Sequence, residues 1–307
     1  MTLDPQIAGL IDALDGGFPA VHTMTGAQAR ATIRSRFTPA PRPEPVAAVQ
    51  ELRVPVDGTS IRVRVYRPAG EGAVPALVFA HGGGFVFCDL ESHDGLCRNL
   101  TNRLGAVVVS VDYRRAPEDR WPTAAEDMYA AVRWVADNAA ELGIDAGRIA
   151  VGGDSAGGNL AAVTALMARD RGGPALRAQL LLYPVIAADF DTESYRLFGQ
   201  GFYNPEPALR WYWDQYVPEL ADRRHPYAVP LHAELAGLPP AVMVTTGHDP
   251  LRDEAFAYAQ ALTDAGVAVT RCEFGGAVHG FMTMPMLDIC HEARRRSTEE
   301  LAALLRG

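Results

Sequence analysis

The stretch Val151–Asn159, VGGDSAGGN, packs four glycines around one serine and one aspartate, directly after Arg148–Ala150, RIA. Glycine-rich runs serve either as slack loops or as backbone bent for close approach, and the flanks decide between the two. On the N-terminal side RIAVGG reads as a buried strand; on the C-terminal side AGGNLAAVTALMAR has helical composition. Strand, sharp turn, helix with Gly153-Asp154-Ser155-Ala156-Gly157 at the turn is the G-x-S-x-G elbow. Small residues two before and two after the serine let strand and helix approach, and the helix start adds unpaired N–H groups and a positive dipole end. Composition alone would produce about 0.06 such pentapeptides in this chain, so the context carries the weight. A phosphate-binding loop is disfavoured because no Lys-Ser/Thr pair follows the glycines.

Outward from the elbow, short apolar runs alternate with helical stretches. The runs are Ala76–Ala80, Ala106–Asp112, Arg148–Gly153, Ala178–Pro184, Ala241–Gly247 and Val267–Phe274; helices are expected at Thr123–Leu142 and Asn159–Arg169. Uninterrupted apolar runs fit strands buried on both faces, and the alternation fits a parallel sheet covered on both sides. Before them, ELRVPV, DGTS and IRVRVY read as a hairpin, with Ile61, Val63 and Val65 inward and Arg62 and Arg64 on a wet face. The chain starts with a helical pattern, Ile7, Leu10, Ile11 and Leu14, stopped by Gly16-Gly17; the proline-rich Thr38–Pro45 reads as a connector. More than fifty residues separate Pro184 from Ala241, and part of them is expected to form an inserted helical element against which the N-terminal segment packs.

Composition narrows the function. With 307 residues, 48% of them hydrophobic, a sizeable core is affordable and disorder is not expected. The net charge of −9 argues against a nucleic-acid partner. Cys88, Cys97, Cys272 and Cys290 form no CxxC pair and have no histidine at metal-finger spacing, which fits scattered thiols in a reducing compartment. MTLDPQIAGLIDALDGG shows neither a basic segment before its apolar residues nor a long apolar run, so neither a secretion signal nor a membrane span is expected, and a cytoplasmic location is.

A serine hydroxyl needs a base to become a nucleophile, and in an open parallel sheet that base belongs on a loop at the carboxyl edge. Among the histidines after Ser155, only His248 and His279 directly follow expected strands. His279 lies in GGAVHGF and Asp249 in GHDPLRDE, which gives the order Ser155, Asp249, His279. His248 adjoins Asp249, and neighbours in one tight loop usually point apart. Asp253 falls inside the expected helix, where it reads as a first-turn acid. The oxyanion of a tetrahedral intermediate needs converging N–H donors. HGGGF, His81–Phe85, directly after a strand, supplies Gly83 and Gly84, with the N–H of Ala156 as third donor. Asp154 reads as a hydrogen-bonded scaffold residue. Phe18, Phe202, Tyr203, Trp211 and Trp213 are candidates for an acyl pocket, with ordinary packing the simpler role for any single one.

With HGGGF at His81, DYRRAPE at Asp112, GDSAGG at Gly153, DPLRDE at Asp249 and HGF at His279, the chain resembles the bacterial hormone-sensitive-lipase family of α/β-hydrolases over essentially its whole length. The resemblance implies a single α/β domain over residues 1–307, with an eight-stranded mostly parallel sheet. It also implies a helical cap from about residues 1–45 and 187–218. Ser155, Asp249 and His279 become the triad, and Gly83, Gly84 and Ala156 the oxyanion hole. The implied activity is a carboxylesterase for short and medium acyl esters, with a small-molecule ester as partner and no metal or cofactor. The sequence departs from the family at Arg115, where leucine is common. Two other readings stay open: amide or lactone hydrolysis, and a non-catalytic receptor, since plant gibberellin receptors resemble the family but lack the histidine. An edge-strand homodimer through Val267–Phe274 is compatible with the sequence, which carries no decisive signal for it.

Overall fold

The computed structural model describes residues 2–13, 18–39 and 42–307. Two helices come first, α1 (Pro5–Ala13) and α2 (Gly26–Arg36), then the hairpin β1 (Ala48–Val56) and β2 (Thr59–Arg67). The alternating part runs β3 (Val74–Ala80), α3 (Asp94–Leu104), β4 (Val107–Asp112), α4 (Thr123–Asp137), β5 (Ile144–Asp154), α5 (Ala156–Asp170) and β6 (Ala178–Leu182). The inserted stretch holds α6 (Glu193–Phe198) and α7 (Glu206–Tyr216), after which come β7 (Ala241–His248), α8 (Arg252–Asp264), β8 (Val269–Val278) and α9 (Asp288–Arg306). Every strand read from the sequence is present. Ile7, Leu10 and Ile11 do lie on α1, whereas Leu14, Gly16 and Gly17, and Ala40 and Pro41 of the connector, fall outside the described residues.

The eight strands form one sheet in the order β1-β2-β4-β3-β5-β6-β7-β8. β1 and β2 pair antiparallel, β2 pairs antiparallel with β4, and all other neighbours are parallel. The central strands are buried on both faces, and their residues still divide by parity. In β3, Val78 joins one core while Leu77 and Phe79 join the other. Successive side chains point to opposite faces, so a doubly covered strand must be apolar throughout, as the sequence runs are. The first core lies under α4, α5, α7 and α8; the second lies under α3 and α9, with Ile7 of α1 added to it.

Two expectations needed correction. Arg64 is not on a wet face: its guanidinium is nearly covered, lying between Glu51 (2.6 Å), Asp94 (3.4 Å) and Glu91. Burial of so large a cation is tolerable only because three carboxylates surround it; an alternation pattern cannot report this. The helix expected to reach Leu142 ends at Asp137; beyond it the chain runs on in hydrogen-bonded turns, Leu142 N–H to the Asn138 carbonyl (3.0 Å) and Ile144 N–H to that of Ala139 (2.8 Å), closed by Gly143 at φ 60°.

α4 is also tied to the loop after β4. The fully buried Asp127 carboxylate accepts the Arg114 backbone N–H at 2.9 Å and pairs with the Arg114 guanidinium at 2.6 Å. Asp127→Ala removes the acceptor of that N–H and of the Arg114 guanidinium, and we expect a loss of about 2 kcal/mol in unfolding free energy. Denaturant titration against the wild type measures it, and an unchanged midpoint would show that the pair contributes nothing net.

Candidate active site

The elbow is a steric necessity. Ser155, between β5 and α5, has φ 55° and ψ −119°, a region a non-glycine residue enters only under strain. Its neighbours cannot carry side chains: a Cβ on Gly153 would sit 2.2 Å from the Gly157 carbonyl oxygen, and a Cβ on Gly157 2.0 Å from that of Ala80. The turn is held by Ser155 N–H donating to the Leu182 carbonyl (2.9 Å) and by the Asn159 and Val185 N–H groups donating to the Ser155 carbonyl (both 3.1 Å). The glycines therefore serve contact and not slack, and α5 begins at Ala156, before the expected Asn159.

Three loops meet over this serine. His279, one residue past β8, places Nε2 2.8 Å from Ser155 Oγ and Nδ1 2.8 Å from Asp249 Oδ2. An ionised carboxylate only accepts, so Nδ1 carries the proton and Nε2 is left to accept the serine hydroxyl. Asp249, one residue past β7, is 1% exposed and is fixed by the Thr246 hydroxyl (2.6 Å) and the Leu251 N–H (2.9 Å). The Tyr183 ring stands edge-on to the His279 imidazole, with centroids 5.0 Å apart.

The glycine loop after β3 lies beside the elbow. Asp154 joins the two: its carboxylate accepts the Gly82 N–H at 2.8 Å and lies 3.0 Å from His93 Nε2. Burial would raise the Asp154 pKa, but His93 and the Gly82 amide outweigh it and leave the group below its ordinary value. Burial, reinforced by His93, holds the neighbouring His81 imidazole well below its usual range, so His81 is neutral at neutral pH. The loop is close-packed: a Cβ on Gly83 would lie 2.3 Å from the Phe87 carbonyl oxygen, and one on Gly84 2.5 Å from the Tyr212 ring.

The alternatives separate cleanly. His248 stacks on Phe202 (5.4 Å) and meets Phe198 edge-on (5.3 Å). Asp253 lies in the first turn of α8, where it accepts the Ser194 N–H (2.8 Å) and pairs with Arg252. Of the aromatic candidates, Trp213 is 1% exposed and packs near Phe85, Phe202 belongs with His248, and Trp211 lies against Tyr212. Phe18 and Tyr203 meet at 5.5 Å, and Phe18 also meets Phe87 at 5.9 Å. Thr246, Tyr183, His93 and Tyr212 were missed by sequence reasoning, which had no spacing rule to find them. Nor did it find Glu254, whose fully buried carboxyl accepts the Ile186 and Ala187 N–H groups and is pushed well above the carboxylic range by burial.

Residues 77–283 match a family model described as the alpha/beta hydrolase fold. The chain belongs to the hormone-sensitive-lipase family of α/β-hydrolases. This hydrolase is 43% identical over 285 residues to the carboxylic ester hydrolase LipN of Mycobacterium tuberculosis, covering 91% of this chain and 75% of LipN. It is 38% identical to an ethyl acetate hydrolase of Pseudomonas putida, covering 92% and 93% of the two chains. Its fold superposes with a TM-score of 0.94 on the crystal structure of a thermostable esterase from Pseudomonas putida ECU1011, at 39% identity over 99% and 98% of the two chains.

The Ser155 backbone strain is open to measurement. Ser155→Gly relieves the positive φ while Ser155→Ala keeps it, and both remove the hydroxyl. The glycine variant should be the more stable by about 1 kcal/mol, the strain of such a backbone exceeding the extra entropy of glycine. Paired thermal melts that place the alanine variant level or higher would contradict this.

Proposed function

We propose that this hydrolase is a serine carboxylesterase in which Ser155 is the nucleophile, His279 the general base and acid, and Asp249 the group that orients the imidazole. The observation that carries the reading is the pair of 2.8 Å contacts joining Ser155, His279 and Asp249 across the ends of three strands. Ser155 Oγ attacks the ester carbonyl as His279 Nε2 takes its proton, and Asp249 stabilises the resulting imidazolium. The oxyanion is received by the N–H groups of Gly83, Gly84 and Ala156, and losing one such donor costs about 10² to 10³ in rate. His279 then protonates the departing alcohol, leaving an acyl group on Ser155. Water deprotonated by His279 releases the acid and restores the serine. A receptor without turnover has no use for a base within hydrogen-bond reach of the serine, which favours the enzyme.

In this reading residues 1–45 and 187–218 form the cap. Its support is an aromatic wall in which Phe18 touches Tyr203 and Phe87, Phe87 meets Tyr212 edge-on at 5.5 Å, and Tyr212 covers Gly84. Tyr203 closes the other side, 3.8 Å from where a Gly280 Cβ would lie. Apolar walls this close to both the oxyanion loop and the histidine loop leave room for a short acyl chain, and one relative is named for ethyl acetate. No helix among the described residues is long and apolar enough to cross a membrane. A cytoplasmic location fits the four cysteines, which stand as free thiols. A homodimer through the edge strand β8 remains part of the proposal, tested by light scattering.

A fluorophosphonate probe should label the wild type at Ser155 and leave Ser155→Ala unlabelled, as read by intact-mass spectrometry; an unlabelled, folded wild type would remove the reading. Across p-nitrophenyl esters, kcat/KM should peak on acetate to butyrate and fall toward long chains. Fastest turnover on a long acyl ester would refute the tight acyl wall.

A further inference from the structure

The N-terminal helix α2 reaches the oxyanion loop through one side chain. Arg30 Nη1 donates to the Val86 carbonyl at 3.0 Å and to the Ala116 carbonyl at 3.1 Å, while Nη2 pairs with Glu118. α2 is seated close enough for this because Gly26 opens it: a Cβ there would lie 2.5 Å from Pro117 Cδ. A Thr25/Gln28 capping box fixes the helix start.

The Val86 carbonyl belongs to the same planar peptide group as the Phe87 N–H, so holding one end aims the other in the opposite direction. The Phe87 N–H donates to the Gly83 carbonyl at 3.0 Å, as does the Val86 N–H. That carbonyl in turn shares its peptide plane with the Gly84 N–H, one of the proposed oxyanion donors. We infer that Arg30 is a positioning residue for the oxyanion hole, acting through these two peptide planes, so that docking of the N-terminal segment and aim of the Gly84 N–H are coupled. The inference rests on the esterase reading above. The guanidinium also contributes charge: it polarises the Val86–Phe87 peptide, which polarises the Gly83–Gly84 peptide, and successive hydrogen bonds in a chain strengthen one another. Phe85, whose carbonyl accepts the Ala116 N–H at 3.0 Å, is held at φ 63° in the same loop, so the loop depends on such outside contacts to keep its shape.

The test compares wild type, R30Q and R34Q, the last on the same helix and outside the relay, with p-nitrophenyl butyrate and with butyl trifluoromethyl ketone, which forms a tetrahedral adduct on the serine. R30Q should lower kcat about tenfold with KM within about twofold, and weaken the ketone by the same factor as kcat, because a misaimed donor loses part of the 10² to 10³ that outright removal costs. R34Q should change neither. A merely structural Arg30 would lower the melting temperature or raise KM without weakening the ketone in step with kcat. Wild-type kcat and ketone affinity in R30Q, or a loss confined to KM, would overturn the relay. If R30Q does not fold, R30K decides. An ammonium cannot serve two carbonyls and Glu118 in the same geometry, so kcat should fall at least about threefold with an unchanged melting temperature; wild-type kcat would overturn the inference. A wild type that resists fluorophosphonate would instead sink the esterase reading, whatever Arg30 does.

Discussion

Three backbones are forced together where β3 ends, β5 ends and α5 begins. The Ala80 carbonyl oxygen occupies space that any side chain at residue 157 would need, and the Gly157 carbonyl does the same to residue 153. This close approach demands glycine on both sides of the turn and pushes Ser155 into a positive φ that only a tight turn between packed elements sustains. The strained residue is thereby held at the carboxyl edge of the sheet, where the loops leaving β7 and β8 also end. The adjacency of the β3 loop is a by-product of the same packing. Asp154 makes it permanent by accepting the Gly82 amide from across the gap.

Charge is distributed around this centre by burial and partners and not by residue type. DPLRDE contains three acids with three tasks. Asp249 holds the imidazole, Asp253 caps the α6 start through the Ser194 N–H, and Glu254 fixes the Ile186–Ala187 backbone with its carboxyl pushed toward the protonated form. His81 is kept neutral by burial, so it adds no positive charge under the glycine loop after β3. The N-terminal and inserted segments contribute by covering: Tyr212 lies on Gly84, and the ring of Phe18 ties the N-terminal segment to Phe87 and Tyr203.

Strand positions were legible because burial on both faces leaves an unbroken apolar run, and every such run became a strand of the sheet. The elbow was legible because its glycines answer a short-range steric demand. Arg64 was misread because alternation reports which face a residue is on and not what covers that face; Glu91 and Asp94, close in space, supply the cover. The end of α4 was misread because helical composition runs on through residues 138–142, which form irregular turns closed by Gly143 in the left-handed region.

What the sequence by itself determined is therefore whatever local sterics and periodicity encode: the strand–helix alternation, the serine on its turn, and a histidine and an acid on later strand-end loops. Only the tertiary structure decided which aromatics pack beside the glycine and histidine loops, what covers Arg64, and that Arg30 of α2 touches the loop fifty-six residues further on. Such choices depend on the direction of individual side chains and on segments meeting through a shared core, which a linear pattern does not record.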